Sequence, residues 1–195
     1  MRRCLSVCLL AVLVLTSVTW AQDEEKGPVK PALLVIDIQN DFIPMMDQSD
    51  RDGAMRMING AIWLFRQHGF PVIRVYHTDP KWGPAPDSPG FEFPESVIIE
   101  ESDPKVVKNY PSAFVKTDLD QVLKERGVNT VFLCGLSATG CVLATYFGAQ
   151  ERQYDAFMIA GALLSPSAEQ TRAITEILES VGWGGMEVIL RAAMP

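Results

Sequence analysis

Runs of consecutive apolar residues, more than alternating ones, set the architecture of this chain. Ala32-Leu-Leu-Val-Ile-Asp37, Val72-Ile-Arg-Val-Tyr76, Val131 to Cys134 and Ala156-Phe-Met-Ile-Ala160 are short and almost wholly apolar, the pattern of strands buried on both faces. Lys105-Val-Val-Lys108 and Glu187-Val-Ile-Leu190 read as two weaker strands. Between these runs the period changes. Gly53 to His68 puts Met55, Ile58, Ile62 and Phe65 on one helical face and ends before Gly69, where a helix commonly stops. Asp118 to Arg126 and the segment from Cys141 also read as helices, as does Ser167 to Val181, with Pro166 near its start and Ile174, Ile177, Leu178 and Val181 turned inward. Buried strands alternating with helices predict an α/β fold, a mostly parallel sheet covered by helices on both faces. In such sheets the site forms beyond the carboxyl ends of the strands.

Two of those ends carry reactive groups. Thr130 to Thr145 reads as a strand, a Gly-bounded turn from Gly135 to Gly140, and a helix opening at Cys141. A thiol there meets the unpaired N–H groups and the positive end of the helix, which favour a thiolate. A free cysteine is also commonly a packed core residue, so Cys141 has two readings from position alone. Asp37 closes an otherwise apolar strand, where a carboxylate is costly without a partner. Lys108 ends another. If the three strands are neighbours, carboxylate, ammonium and thiol converge at one edge, with Asp37 placed to take the thiol proton and Lys108 to hold Asp37.

The ends and the charge narrow the partners. Met1-Arg2-Arg3, an apolar run from Cys4 to Trp20, and Thr19-Trp20-Ala21 read as a secretory signal with expected cleavage after Ala21. A membrane anchor is the other reading, for which the run is short. A polar linker follows over residues 22–30, and the domain covers 31–195. The expected location is therefore secreted or periplasmic, with no membrane association after cleavage. Removing Arg2 and Arg3 takes the formal charge from −7 to −9, and with no basic stripe the chain is not expected to bind nucleic acid. Cys134 and Cys141, which remain after cleavage, can pair in principle. Secreted domains stapled by disulfides usually carry more cysteines, which favours two free thiols.

Asp79 to Glu95 fits no ordinary connection, with five prolines and Trp82, Phe91 and Phe93. It is expected to cover the site or to pack at a subunit contact. Gly135-x4-Gly140 lacks the Lys-Ser/Thr of a phosphate-binding loop. A triad of Ser137, His77 and an Asp stays open as a competing arrangement. Asp47, Asp50 and Asp52 hint at a calcium loop, but Asn59 stands where its closing Glu belongs, so a solvated acidic helix start fits better.

Residues 36–42 (IDIQNDF), 108–114 (KNYPSAF) and 135–142 (GLSATGCV) together resemble the three signature segments of the isochorismatase-like cysteine hydrolases. The latter two are especially similar to N-carbamoylsarcosine amidohydrolases. The resemblance implies a six-stranded, Rossmann-like three-layer fold, commonly in a homo-oligomer, and an Asp37-Lys108-Cys141 catalytic triad. It also implies a cis peptide at Leu136–Ser137 and an oxyanion hole from the backbone N–H groups of Ser137 and Cys141. The activity implied is hydrolysis of a carbon–nitrogen bond in a small amide or ureido substrate. Ser137 and Thr139 are expected to contact that substrate, and Phe42, Trp82, Tyr110 and Phe114 to wall the pocket. Family members that bind a metal do so through an Asp and several His residues. This chain has only His68 and His77, so no metal and no other cofactor are expected. Vinyl-ether-cleaving members generally lack the cysteine, which makes that chemistry the weaker alternative. Another is a non-catalytic small-molecule-binding or oligomer-forming protein on the same fold. Gly161 stands near the place of an acidic residue that closes the fifth strand in many relatives.

Overall fold

Six parallel strands form a single sheet in the computed structural model, which describes residues 27–194. The strands are β1 (Pro31–Ile36), β2 (Val72–His77), β3 (Lys105–Lys108), β4 (Thr130–Leu136), β5 (Asp155–Leu164) and β6 (Ser180–Val181), in the order β3-β2-β1-β4-β5-β6. The expected signal segment lies outside the described residues, as does most of the linker. Among the described residues, no helix is long and apolar enough to cross a membrane.

Every residue of β1 and β4 is buried, as continuous apolar runs require of central strands. Successive side chains alternate between layers. Leu33 and Val35 join Phe65, Phe132 and Met186 on one face, while Leu34 and Ile36 join Val131, Leu133 and Val142 on the other. Helices α1 (Gln48–Gln67) and α5 (Trp183–Ala192) supply the first layer with Ile58, Ile62, Phe65 and Leu190. Helices α2 (Leu119–Glu125) and α3 (Cys141–Gln150) supply the second with Leu119, Leu123, Val142 and Tyr146. The reversal of strand order falls between β1 and β4, where ligands of doubly wound sheets bind.

Four boundaries differ from expectation. Glu187 to Leu190 is part of helix α5 and not a strand: Met186 and Leu190, four residues apart, are both fully buried, which is helical spacing. The sixth strand is instead the two-residue β6, so helix α4 (Ala168–Ile177) ends before it. Helix α1 begins at Gln48 rather than Gly53, because the Asp47 carboxylate caps it, accepting from the Ser49 N–H at 2.9 Å. That cap also accounts for the acidic cluster read as a hint of calcium. Strand β5 runs four residues past Ala160, through Gly161 at φ +82° and a shift in its register with β4, so Gly161 lies within the strand and does not close it.

Candidate functional site

Asp37 sits one residue beyond β1 in the left-handed region, at φ +55°. Aspartate is among the few side chains that visit this conformation readily. Beside it, β1 and β4 approach so closely that a Cβ on Gly135 (φ +117°) would lie 2.0 Å from the Ile36 carbonyl oxygen. Only glycine fits there. The same strand then leads through the cis peptide Leu136–Ser137 to the turn before α3. The Ser137 carbonyl accepts from the Gly140 N–H at 2.9 Å and the Val142 N–H at 3.2 Å. No acceptor takes the N–H groups of Ser137 and Cys141 among the described residues.

The register His77↔Lys108 aligns the ends of β2 and β3. Lys108 is buried, and its Nζ donates to Asp37 Oδ2 at 2.8 Å and to His77 Nδ1 at 2.7 Å. An ammonium can only donate, so Nδ1 accepts and a neutral His77 carries its proton on Nε2. Ligating atoms of Asp37, His77 and Cys141 all lie within 4.8 Å of one another. Asp37 Oδ1 and His77 Nε2 are buried without a hydrogen-bond partner. Such a set of donors can ligate a cation, but the Lys108 ammonium already stands between Asp37 and His77 and would repel one.

Burial dominates the proton affinities here. It raises the Asp37 carboxyl despite the charge and hydrogen bond of Lys108. Burial and then Lys108 push His77 down to about 4, so it is neutral. The Cys141 thiol is pushed up to about 12, by burial first and then by the Asp37 charge, against the pull of Lys108. Burial thus opposes the pull toward a thiolate that a helix start supplies. Were Asp37 and Cys141 both ionised, two anions would face the single cation of Lys108. Cys134 is buried within the sheet, its thiol raised by burial alone, and it and Cys141 are both free.

A cavity of about 470 Å³ opens beside Asp37 and Cys141. Phe42 and Trp82 line it as expected, together with Ser137. Tyr110, Phe114 and Thr139 do not. Tyr110 turns outward, where its hydroxyl accepts from Lys116 Nζ at 3.0 Å. Phe114 is buried behind α3, stacked on Tyr154 and under the Arg152 guanidinium. Thr139 is exposed, bonded through its hydroxyl to that of Ser137 at 3.1 Å. Sequence reasoning missed Met45, Met46 and Pro111 in the wall, and missed His77 as the second partner of Lys108. The position of His77 at a strand end, level with Lys108, was the available signal. His77 Nε2 has no hydrogen-bond partner and the Ser137 hydroxyl pairs with that of Thr139, so no Ser137–His77 pair forms and the Ser-His-Asp arrangement is not assembled.

The loop from Asp79 to Glu95 divides its aromatics. Trp82 stacks on His77 at 4.7 Å and borders the cavity, whereas Phe91 and Phe93 are buried against Tyr76. The Gln39 side chain pins the loop by donating to the carbonyls of His77 and Phe91 and accepting from the His77 N–H.

A model of the isochorismatase domain matches residues 31–190. The chain is 37% identical over 128 residues to an uncharacterized isochorismatase family protein of Bacillus subtilis, covering 63% of this chain and 71% of that one. It is 31% identical over 152 residues to a protein of Arabidopsis thaliana named a probable inactive nicotinamidase, covering 63% and 74% respectively. The solved structure of N-carbamoylsarcosine amidase from Thermoplasma acidophilum is similar at a TM-score of 0.69 and 27% identity, over 79% of this chain and 95% of that one. With the parallel sheet and the buried cluster at its carboxyl edge, these matches place the chain in the isochorismatase domain family.

Proposed function

We propose that the chain is a cysteine hydrolase that cleaves the carbon–nitrogen bond of a small amide or ureido substrate through a thioester on Cys141. The observation that supports this most is one cluster that joins a buried carboxylate and ammonium to a half-buried thiol beside an open cavity. Asp37 takes the thiol proton as sulfur attacks the carbonyl carbon, forming the C–S bond. The N–H groups of Ser137 and Cys141 hold the oxyanion, at about 3 kcal/mol per donor. Collapse breaks the C–N bond, and Asp37 passes its proton to the leaving nitrogen. Water then attacks the thioester while Asp37 takes its proton, and that proton returns to sulfur as the acid product departs. The raised thiol suits this sequence. Passing a proton from Cys141 to Asp37 keeps the net charge of the cluster constant, whereas losing it to solvent would leave two anions against one cation.

The experiment is a screen of small amides, ureido acids and nicotinamide, reading ammonia release and the mass of acid-quenched protein. Turnover with an acyl adduct in wild type, and neither in Cys141→Ala, is the expected result. One finding favours a second reading, a ligand-binding protein without turnover: the similar Arabidopsis thaliana protein is named a probable inactive nicotinamidase. No adduct and no ammonia across the screen would establish that reading and end the first. Export with cleavage after Ala21 and assembly into a homo-oligomer belong to the proposal too. N-terminal sequencing of the exported protein and its mass by light scattering test them.

A further inference from the structure

The cavity beside the thiol has one polar side and one apolar side. Around the reacting sulfur stand Asp37 and Ser137, while Phe42, Met45, Met46, Trp82 and Pro111 make up most of the remaining wall. Met45 and Trp82 are 56% and 63% exposed. Large apolar side chains left in water around a concavity mark a surface that a ligand covers. Methionine and tryptophan are also the side chains that adapt best to a flat or irregular apolar group.

Charge is just as uneven. Among the described residues, no lysine or arginine lines the cavity, and its one charged side chain is Asp37. The nearest ammonium, that of Lys108, is buried and already engaged by Asp37 and His77. A substrate carboxylate entering this space would lose its hydration, meet a like charge and find no free cation.

We propose that the substrate is a small uncharged amide whose aromatic or branched apolar group lies between Phe42, Met45, Met46 and Trp82, and that carboxylate-bearing amides are rejected. The inference rests on the amide-hydrolase reading for the bond that is cleaved, and on the wall chemistry alone for the class that binds. The neutral state of His77 agrees with it, since the ring adds no positive charge to the wall. The 470 Å³ of space suits a substituted amide better than the smallest ones.

Matched pairs test it on the full protein in solution: benzamide against 4-carbamoylbenzoate, and crotonamide against fumaramate, which share the trans alkene. The neutral member of each pair is expected to have the higher kcat/KM, by about 100-fold or more. Met45→Arg, at an exposed position, is expected to raise kcat/KM for 4-carbamoylbenzoate by about tenfold or more and to lower that for benzamide. Equal or better turnover of the carboxylates by wild type overturns the proposal, including the case in which a partner subunit supplies a cation. Should no amide release ammonia, the cleavage reading fails, and calorimetry with Cys141→Ala then decides the class that binds. Benzamide binding about tenfold or more tighter than 4-carbamoylbenzoate keeps the proposal, and equal binding, or binding of neither, overturns it.

Discussion

Replacing Asp37 with Asn removes one charge from a buried pair and keeps the shape. Lys108 and Asp37 have side chains 0% and 2% exposed, 2.8 Å apart. In the variant the ammonium keeps an amide oxygen as a neighbour but loses its counter-charge. Breaking a buried pair from one side costs about 3–5 kcal/mol. The ammonium can avoid that cost by releasing its proton, at about 1.4 kcal/mol for each pH unit below the ordinary lysine value of about 10.4. This escape caps the loss at about 4.6 kcal/mol at pH 7 and about 2 kcal/mol at pH 9. The sign follows from proton counts: the unfolded variant binds the Lys108 proton more tightly than the folded one, so its stability rises with pH toward the unfolded value. A domain with a usual stability of about 5–15 kcal/mol stays folded at 25 °C, so the loss of turnover, expected to be complete, would not come from unfolding. Urea titrations of wild type and variant from pH 6 to 9 supply the measurement, with Asp37→Asn/Lys108→Met as control. The double variant should recover stability while remaining inactive. A single variant that loses under about 1 kcal/mol with no trend in pH would refute a charged buried pair.

Other outcomes are expected. Gly135→Ala forces a methyl group toward the Ile36 carbonyl and should cost about 3 kcal/mol or more while displacing Asp37; a variant with wild-type melting and activity would contradict the close approach. Trp82→Ala, at a side chain 63% exposed, should change KM for an aromatic amide with under about 1 kcal/mol lost in stability, and unchanged kinetics would remove the loop from the site. Iodoacetamide should label Cys141 before Cys134, at a rate that keeps climbing with pH because the thiol is pushed up to about 12; a plateau below pH 8 would show a thiolate at rest. Turnover should survive exhaustive chelation, and loss with EDTA restored by Zn²⁺ would show that a cation displaces the role of Lys108.

Much of this arrangement is legible in the sequence where a physical rule acts over short range. The central strands announce themselves because burial on both faces demands unbroken apolar runs, and Asp37 and Lys108 stand out as charges at the ends of such runs. The edge of the sheet is harder to read. Ser180–Val181 is too short to show a period, and Glu187 to Leu190 suits a strand as well as a helix until Met186 is counted as its inward neighbour. Aromatic character alone misassigned Tyr110 and Phe114, because whether a ring faces a cavity or the back of a helix depends on α3 packing over residues 112–114. The Ala113 N–H donates to Thr145 Oγ1 there at 3.0 Å, a contact between distant segments that local pattern does not report. The Cys141 thiol shows the same limit. Its position at a helix start is local and was read, whereas the burial that outweighs it comes from the whole fold.

Strand β3 carries the cation of the site and hydrogen-bonds to a neighbour on one side only. Its four residues alternate between exposed and buried, and Lys108 is the last of them. The ion pair with Asp37 therefore works as a clasp that fastens the sheet margin to its centre. Margins of sheets are where native proteins open first. Each opening would carry the ammonium away from Asp37, so the amides of β3 keep a record in hydrogen exchange of how often the charge cluster comes apart, even with no ligand present.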